Sequence, residues 1–324
     1  MNEPKILGNP EKQKGIEKLL RQAGRDSKIN DIIEGKEDKG TGIIGLDDAG
    51  LENINHRLST AHKIGDIAFS PFGSYLAVAH GAYLRLFLYN KNGIKEVASA
   101  MNSTLIDALA FSPKGDFIAA GCREGKTNLF SLNPEEILKP AGSAASPKGV
   151  RGMDICSILE EHTKDAILYD NVLCVADSTG EMQLTDIDGE NNALIDTIAL
   201  EYHIDRAAFN KGGKYLAVGR VKPHFEFEIN ILEMDGLKEI ASEPYYNQIT
   251  AMEFNYGCLA VGDARSYSLY DFDGKNLRKI GRNGIEFSGR PPVVTGLSFS
   301  PGAEYLAVAT TEDISIYKVV KKND

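Results

Sequence analysis

The sequence predicts an all-β chain built from repeats of one four-stranded antiparallel unit, and the first observation behind this is a recurring phrase around Phe-Ser-Pro. The phrase reads DIAFSPFGSYLAVAH from Asp66, DALAFSPKGDFIAAGC from Asp107, DRAAFNKGGKYLAVGR from Asp205 and TGLSFSPGAEYLAVAT from Thr295. Two divergent copies follow the same alternation: TAMEFNYGCLAVGD from Thr250, and a stretched copy that joins Met153–Ile158 to Asn171–Gly180. Repeats of this length are single supersecondary units that bury their apolar faces against their neighbours. The chain therefore contains six visible units.

The second observation is the regular spacing of these units. The last core residues of the six first strands are predicted to be Phe69, Phe111, Ile158, Phe209, Phe254 and Phe299. The steps between them range from 42 to 51 residues. A period near 40 to 45 residues with about four strands in each unit is typical of propeller blades arranged around a channel.

The third observation is the strand pattern inside each unit. In the fourth unit, apolar residues alternate in period two or form short runs, which predicts four strands: Ile204–Phe209, Lys214–Gly219, Phe225–Leu232 and Leu237–Ala241. Pairs that favour hairpin turns follow the third strand of several units: Asn92-Gly93, Asp188-Gly189, Asp235-Gly236 and Asp273-Gly274. Each unit is thus predicted to be a four-stranded antiparallel sheet.

Over roughly residues 51–320 the phrase resembles the WD-repeat family in its first strand, its Ser-Pro-x-Gly turn and its Leu-Ala-x-x second strand. The resemblance implies a β-propeller that presents its faces to protein partners. The chain departs from the family pattern because it contains no Trp, and pairs such as Leu86-Phe87 and Ile316-Tyr317 stand where Trp-Asp would end the third strand. The family's Gly-His is represented by isolated His62 and His203.

Closure of the ring requires a strand from the N-terminal side, since the last unit lacks a fourth strand at its C-terminal end. Leu51–Leu58, preceded by the turn Asp48-Ala49-Gly50, is predicted to supply this strand. The length fits six blades, with seven as the alternative if Thr41–Asp47 helps to build a degenerate blade. The predicted domains are an N-terminal helical or flexible arm (1–40), the propeller (41–320) and a charged tail (321–324).

Composition predicts a single cytoplasmic domain, with 42 % hydrophobic and 25 % charged residues and neither a membrane-spanning run nor a secretion signal. A net charge of −10 argues against general nucleic-acid binding. One cluster of basic residues stands out from the acidic composition: Lys275, Arg278, Lys279, Arg282 and Arg290. It can be interpreted either as a solvated outer strand or as a binding patch for an acidic partner. We therefore expect protein partners, and no membrane contact.

Polar residues recur four positions before each predicted core residue, namely Asp107, Asp154, Asp205, Thr250 and Thr295, with Asp66 displaced by one. If the first strand of every unit is innermost, these groups meet near one mouth of the channel. A ring of carboxylates there could bind a cation or a basic peptide. Alternatively, each Asp caps its own loop through backbone amides. Either arrangement predicts an acidic mouth.

Catalytic and metal motifs are not evident. The four cysteines lack Cys-x-x-Cys spacing, and the six histidines are not spaced as ligand pairs. Residues 120–127 (AGCREGKT) loosely match a phosphate-binding loop, but such a loop must open a helix, whereas Thr127–Phe130 reads as a strand. No cofactor is expected.

Two segments outside the regular strands are candidates for function, because loops and extensions carry function on rigid scaffolds. The N-terminal arm has a short apolar face of Ile16, Leu19 and Leu20, and the insertion Leu159–Asp170 is predicted to project from one face. We therefore predict a non-enzymatic scaffold that binds protein partners. The alternative is a propeller enzyme of the lactonase or hydrolase type, with a carboxylate-lined channel that holds a metal ion.

Overall fold

The computed structural model describes residues 43–48, 63–73, 75–90, 93–132, 137–145, 150–162, 165–177, 180–186, 193–199, 203–211, 213–234, 238–255, 257–284 and 293–321. In these residues, 24 strands form six four-stranded antiparallel sheets. Sheet 1 comprises β2 (Ile64–Phe69), β3 (Tyr75–His80), β4 (Tyr83–Asn90) and β5 (Gly93–Met101). Sheet 2 comprises β6 (Ile106–Phe111), β7 (Phe117–Cys122), β8 (Lys126–Leu132) and β9 (Ile137–Ala145). Sheet 3 comprises β10 (Val150–His162), β11 (Asp165–Asp177), β12 (Glu181–Asp186) and β13 (Ala193–Ala199). Sheet 4 comprises β14 (His203–Phe209), β15 (Tyr215–Lys222), β16 (Glu226–Glu233) and β17 (Lys238–Tyr245). Sheet 5 comprises β18 (Ala251–Asn255), β19 (Cys258–Gly262), β20 (Ser266–Phe272) and β21 (Leu277–Gly284). Sheet 6 comprises β22 (Val294–Phe299), β23 (Tyr305–Thr310), β24 (Ile314–Lys321) and β1 (Ile43–Asp48).

The six sheets close into a ring through their first strands. β2 contacts β6, β6 contacts β10, and the series continues through β14, β18 and β22 back to β2. Side-chain hydrogen bonds cross between sheets at this inner wall: the Phe69 amide of sheet 1 donates to Ser298 Oγ of sheet 6 at 2.9 Å. The predicted propeller architecture with six blades is therefore confirmed.

The apolar core lies between neighbouring sheets. One cluster packs Ile67 and Leu76 of sheet 1 against Ala307 and Ile316 of sheet 6. Another packs Tyr215 and Ile231 of sheet 4 against Phe254, Val261 and Phe272 of sheet 5. Because each sheet buries its face against the next, no single blade completes a core by itself.

The recurring phrase has a local structural cause at its turn. Ser70 Oγ accepts a hydrogen bond from the Tyr75 amide at 3.0 Å, and Asn210 Oδ1 accepts one from the Tyr215 amide at 2.9 Å. Ser112 and Ser300 make the equivalent bonds. Gly73 follows with φ of 69°, a left-handed conformation that glycine adopts without steric cost. The turn thus fixes the hairpin between the first and second strands.

The strand that completes sheet 6 differs from the predicted one. β1 pairs antiparallel with β24, and its partners run from Ile43 opposite Lys321 to Asp48 opposite Tyr317. The predicted segment Leu51–Leu58 lies outside the described residues. Closure by an N-terminal strand is correct, but the strand is Ile43–Asp48. The same finding removes the basis for a seventh blade, because most of Thr41–Asp47 belongs to the sixth.

Sheet 3 contains a hairpin that shifts the alignment made from sequence. β10 and β11 each have 13 residues, whereas β2 and β3 have six. Counted from the start of each first strand, Ile155 is the equivalent of Phe69, and the prediction of Ile158 was wrong. The insertion Leu159–Asp170 is a continuation of this paired hairpin. Residues 140–145, which are mostly small, belong to β9.

A buried aspartate joins sheets 4, 5 and 6 through its carboxylate and its backbone carbonyl. Asp263, with none of its surface exposed, accepts hydrogen bonds from the Arg265 and Ser266 amides at 2.8 and 2.9 Å. It also accepts them from Ser266 Oγ (2.9 Å), Asn247 Nδ2 (3.0 Å) and the Arg282 guanidinium (3.1 Å). Burial by itself raises the pKa of Asp263, but these donors and the Arg282 charge outweigh it and hold the pKa below the ordinary value.

The same network extends to both neighbouring sheets. The Tyr245 hydroxyl from the outer strand of sheet 4 approaches Asp263 Oδ2 at 3.3 Å, and the Val294 amide of sheet 6 donates to the Asp263 carbonyl at 3.3 Å. Burial, followed by the Asp263 charge, raises the pKa of Tyr245. An Asp-centred network therefore exists in sheet 5, with Asn247 donating from the connection that precedes the first strand.

Candidate functional site

One edge of every blade combines three features: the start of the first strand, the turn between the second and third strands, and the end of the fourth strand. In sheet 1 this edge is marked by Ile64 opposite His80, His80 opposite Tyr83, and Tyr83 opposite Met101. We call the side of the ring formed by these edges the upper face. The turns between first and second strands lie on the opposite side, the lower face.

A cavity of about 450 Å³ opens at the centre of the upper face. Every sheet contributes to it, mostly from the start of its first strand. Its lining is Lys63, Ile64, Gly65, Gly81, Leu105, Ile106, Asp107, Arg123, Val150, Arg206, Thr250, Val293, Thr295 and Thr311. The cavity is therefore the mouth of the propeller channel.

β-Bulges shape this mouth. The pairing of first and second strands shifts by one residue at Gly65, Asp107, Arg151, Asp205 and Thr295. A bulged residue leaves the regular ladder and redirects its side chain. Gly65 shows how tightly the inner strands approach here, because a Cβ on it would lie 2.2 Å from the carbonyl oxygen of Ile106 in the next sheet. Only glycine fits that contact.

The charge of the mouth differs from the sequence prediction. Lys63, Arg123 and Arg206 contribute cationic groups, and Asp107 is the one carboxylate in the described lining. Asp107 accepts two hydrogen bonds from Arg123, at 2.9 and 2.8 Å, and this contact raises the pKa of Arg123. Among the lining residues that the structure describes, cationic side chains therefore outnumber carboxylates, whereas the sequence predicted an acidic mouth.

Asp66 and Asp205 are absent from the part of the cavity lining that the structure describes. Asp66 accepts hydrogen bonds from its neighbour, the Ile67 amide, at 2.8 Å and from the Leu109 amide of the next sheet at 2.7 Å. Asp205 is buried and accepts a hydrogen bond from Gln248 at 3.2 Å. Backbone capping therefore describes Asp66, which links sheets 1 and 2.

Asp154 does not occupy the position that was predicted for it. It lies within β10 opposite Cys174, and Arg151 is the bulged residue equivalent to Asp107. The shift follows from the long hairpin of sheet 3, which misplaced the sequence alignment. The arm residues Ile16, Leu19 and Leu20 lie outside the described residues.

Sequence reasoning missed Lys63 and Arg206 as mouth residues. Arg206 immediately follows the bulged Asp205, and Lys63 immediately precedes β2. Their proximity to the predicted carboxylates was visible in the sequence. Which of two adjacent side chains enters the channel depends on the bulge, and no sequence signal marked it.

The remaining sequence motifs have structural roles in the described chain. Residues 120–127 form the end of β7, a turn with Gly125 at φ of 89°, and the start of β8. Cys122, Cys174 and Cys258 are buried. No group of three or more His, Cys, Asp or Glu side chains that could hold a metal ion occurs within the ranges given above.

The basic cluster of sheet 5 is largely engaged within its own sheet. Arg278 pairs with Asp271 at 3.2 Å, Arg282 with Asp263 at 3.1 Å, and the Lys279 ammonium lies 5.7 Å from the centre of the Tyr270 ring. Arg290 lies outside the described residues. These contacts favour an outer strand over a separate binding patch.

Large apolar side chains are exposed on the upper face. Phe225 and Tyr246 are each 83 % exposed at the upper edge of sheet 4. They lie just beyond paired residues of one ladder, since Lys222 faces Glu226 and Phe227 faces Tyr245. Met101 and Leu105, also exposed, flank the connection from sheet 1 to sheet 2, and Leu105 lines the cavity.

Phe225 is presented by an unusual backbone. His224 and Phe225 have φ values of 69° and 60°, in the left-handed region that residues other than glycine rarely adopt. Such residues cost on the order of 1–3 kcal/mol each and cluster at functional sites. The conformation holds an aromatic ring in solvent at the upper edge of sheet 4.

The described residues include no helix whose length and apolar character would suit a membrane crossing.

A short segment of this chain is similar in sequence to known proteins. Protein NEDD1 of Homo sapiens is 31 % identical over 93 residues, and Protein NEDD1 of Mus musculus is 30 % identical over 93 residues. The segment is 28 % of this chain and 14 % of either relative, so the chain spans a small part of their length. No family model matches the chain.

Comparison of structures covers most of the chain. The crystal structure of the RRP9 WD40 repeats superposes with a TM-score of 0.59 and 11 % identity, covering 86 % of this chain and all of that one. The structure of U3-55K superposes with a TM-score of 0.58 and 11 % sequence identity, covering 85 % of this chain and 100 % of that one. A chain in the crystal structure of the mitotic checkpoint complex superposes with a TM-score of 0.54 and 13 % sequence identity, covering 86 % of this chain and 95 % of that one. With six four-stranded sheets around one channel, the chain thus has the WD40-type β-propeller fold that the Phe-Ser-Pro repeats resemble.

Proposed function

We propose that this protein is a non-enzymatic scaffold that binds protein partners through the upper face of its propeller. The observation that supports it is the exposure of two aromatic side chains, Phe225 and Tyr246, at the upper edge of sheet 4. Aromatic residues supply most of the binding energy at protein interfaces, where a few anchors dominate. The likeness to WD40 structures adds support from the fold, although fold alone does not determine function.

The geometry of the mouth complements these anchors. An interface needs an apolar centre and a polar surround. Met101 and Leu105 supply apolar surface on the side of sheets 1 and 2, and Phe225 and Tyr246 on the side of sheet 4. The charged cavity lies among them, so a partner segment that crosses the mouth would contact both groups.

The first test replaces both aromatic anchors. The double variant Phe225→Ser/Tyr246→Ser should capture at least about 90 % less of each specific partner than the unmodified chain, since an anchor residue contributes roughly 2 kcal/mol or more to the binding free energy. Partners would be captured from native cells on the tagged full-length chain and quantified by mass spectrometry. Because both side chains are exposed, we expect the melting temperature to change little.

The matched control removes exposed apolar residues from the opposite side of the ring. Ile137 and Leu194, 38 % and 59 % exposed, begin the outer strands of sheets 2 and 3 at the lower edge. Ile137→Ser/Leu194→Ser should retain the partners. Equal partner capture by the unmodified chain and by both double variants would contradict the proposal. Loss of partner capture in the control variant alone would assign binding to the lower face.

We also propose that the arm, residues 1–40, contributes to the partner contact through Ile16, Leu19 and Leu20. Deleting residues 1–40 leaves β1 in place and should therefore keep the unfolding transition of the ring cooperative, while it weakens partner capture. Differential scanning calorimetry and the same capture experiment measure the two effects. A ring that unfolds upon this deletion would show that the arm is structural.

A further inference from the structure

We infer that the upper edge of sheet 4 binds a basic segment of a protein partner, and that Phe225, Glu226 and Tyr246 contact its arginine or lysine side chains. The inference rests on the proposed function and specifies the chemistry of its partner. All three residues are exposed, and each of the two aromatic residues is 83 % exposed. A carboxylate beside aromatic rings attracts a cation in two ways, through its own charge and through the electron-rich faces of the rings.

The ladder of sheet 4 places these residues close together. Phe227 lies opposite Tyr245 at the end of the pairing between β16 and β17. Glu226 directly precedes Phe227, and Tyr246 directly follows Tyr245. Since Cα atoms are about 3.8 Å apart along the chain and at most about 5.5 Å apart across a rung, those of Glu226 and Tyr246 lie within about 13 Å. A segment of about four extended residues spans that distance.

The cations that β15 contributes to this edge are engaged by acceptors other than Glu226. Lys222 lies opposite Glu226 in the ladder, but its ammonium contacts Glu228 Oε1 at 2.6 Å. The Arg220 guanidinium donates to Glu228 and Glu239, at 3.1 and 2.9 Å. A cation of a partner would therefore reach the exposed Glu226 without displacing either of these ion pairs.

The turn that carries Phe225 is constrained. Pro223 begins it, and His224 and Phe225 follow with φ values of 69° and 60°. A constrained turn has less conformational entropy to lose when a partner binds, which increases affinity. The aromatic anchor is thus preorganised for its contact.

The charge of the whole chain also favours a basic partner. Its net charge of −10 attracts a basic segment and accelerates the encounter. The aromatic rings then select the docking position, because a cation interacts with a ring only within about 6 Å of its centre. Arginine suits both contacts, since its planar guanidinium stacks on aromatic rings and pairs with a carboxylate.

The test uses synthetic peptides as probes. Three fluorescein-labelled 12-residue peptides share Gly-Ser flanks and differ in a central block of four Arg, four Gln or four Glu residues. Binding to the full-length protein is measured by fluorescence anisotropy at low and at physiological salt. We expect the Arg peptide to bind at least about tenfold more tightly than the Gln peptide at physiological salt, and the Glu peptide to bind most weakly.

Two variants separate the contribution of the rings from that of the charge. Phe225→Leu/Tyr246→Leu keeps apolar side chains but removes both rings, and it should weaken binding of the Arg peptide by at least about fivefold. Glu226→Gln removes the charge and should weaken binding of this peptide by at least about twofold, the scale of an exposed ion pair.

Two matched controls accompany these variants. Tyr246→Phe retains the ring and should retain the affinity for the Arg peptide. Glu124→Gln removes the same charge as Glu226→Gln from an exposed turn at the upper edge of sheet 2, between β7 and β8, and should leave that affinity unchanged. Melting temperatures verify that all variants are folded.

The inference is overturned if the Arg and Gln peptides bind equally, if either site variant binds the Arg peptide as tightly as the unmodified chain, or if Glu124→Gln weakens binding as much as Glu226→Gln. These results can be separated from failure of the proposed function. If Phe225→Ser/Tyr246→Ser loses its cellular partners while the peptides show no preference for Arg, the upper face is the partner surface and the basic specificity is wrong. If that variant also keeps its cellular partners, the proposed function fails as well.

Discussion

Replacing Asp263 with alanine is expected to lower the free energy of unfolding by about 3 kcal/mol, since buried donors that lose their acceptor become costly. The substitution removes the acceptor for the Asn247 and Ser266 side chains and for two backbone amides. Urea unfolding followed by circular dichroism at pH 7 measures the effect. Because the Asp263 carboxylate connects sheet 5 with Tyr245 of sheet 4, the loss should appear in the global transition of the ring.

The matched control is Asp273→Ala in the same sheet. Asp273 also accepts hydrogen bonds from two backbone amides, those of Lys275 and Asn276, and these bonds lower its pKa, but it is exposed. Water can replace its side chain, so we expect a much smaller loss. Similar losses for the two variants would contradict the assignment of Asp263 as the central acceptor.

The pH dependence of this effect follows from the direction of the Asp263 pKa shift. The folded-state pKa lies below the unfolded value of about 3.9, so the unfolded chain binds more protons in that range. The contribution of Asp263 is fully present above the unfolded pKa and is lost as pH falls through the folded pKa. The difference in stability between the wild type and Asp263→Asn should therefore be largest near neutrality and should diminish below about pH 4.

Deleting residues 1–48 is expected to lower the melting temperature by about 10 °C relative to deletion of residues 1–40, on the order of 3 kcal/mol. The longer deletion removes β1, the partner of β24 over Ile43–Asp48, while the shorter one leaves it. The exposed edge of β24 would then be free to pair with another chain. Calorimetry measures the first effect, and light scattering after size-exclusion chromatography measures the second.

Equal melting temperatures for the two deletions would show that β1 is dispensable. The outer position on β24 would then be filled by another segment, and the sequence-predicted Leu51–Leu58 would be the next to delete. The pair of deletions thus compares the two candidate strands directly.

The blades were predictable because their signals are local. The turn after Phe69 has a hydrogen-bonding residue at position 70 and a glycine at position 73, and both recur in sheets 2 and 4, whereas sheet 6 has Ala303 at the position of the glycine. The choice of β1 was not predictable in this way. Ile43–Asp48 and Leu51–Leu58 are both short segments that mix apolar and polar residues, and the choice between them depends on pairing with β24, which lies at the other end of the chain.

The site was predicted only in part, for a physical reason. The position of the mouth follows from the repeat, and Asp107, Thr250 and Thr295 do line it. Its charge does not follow, because a bulge determines which of two neighbouring side chains faces the cavity. Asp66 is directed to backbone amides, whereas Arg206 lines the channel. The identity of the partner depends on surface chemistry that the repeat leaves open.

The long hairpin of β10 and β11 limits what the lower face can meet. Its strands exceed those of sheet 1 by seven residues, 13 against six, which corresponds to about 20 Å of additional length at the lower edge. A partner that approaches from that side would meet the paired strands of this extension in addition to the short turns of the other described blades.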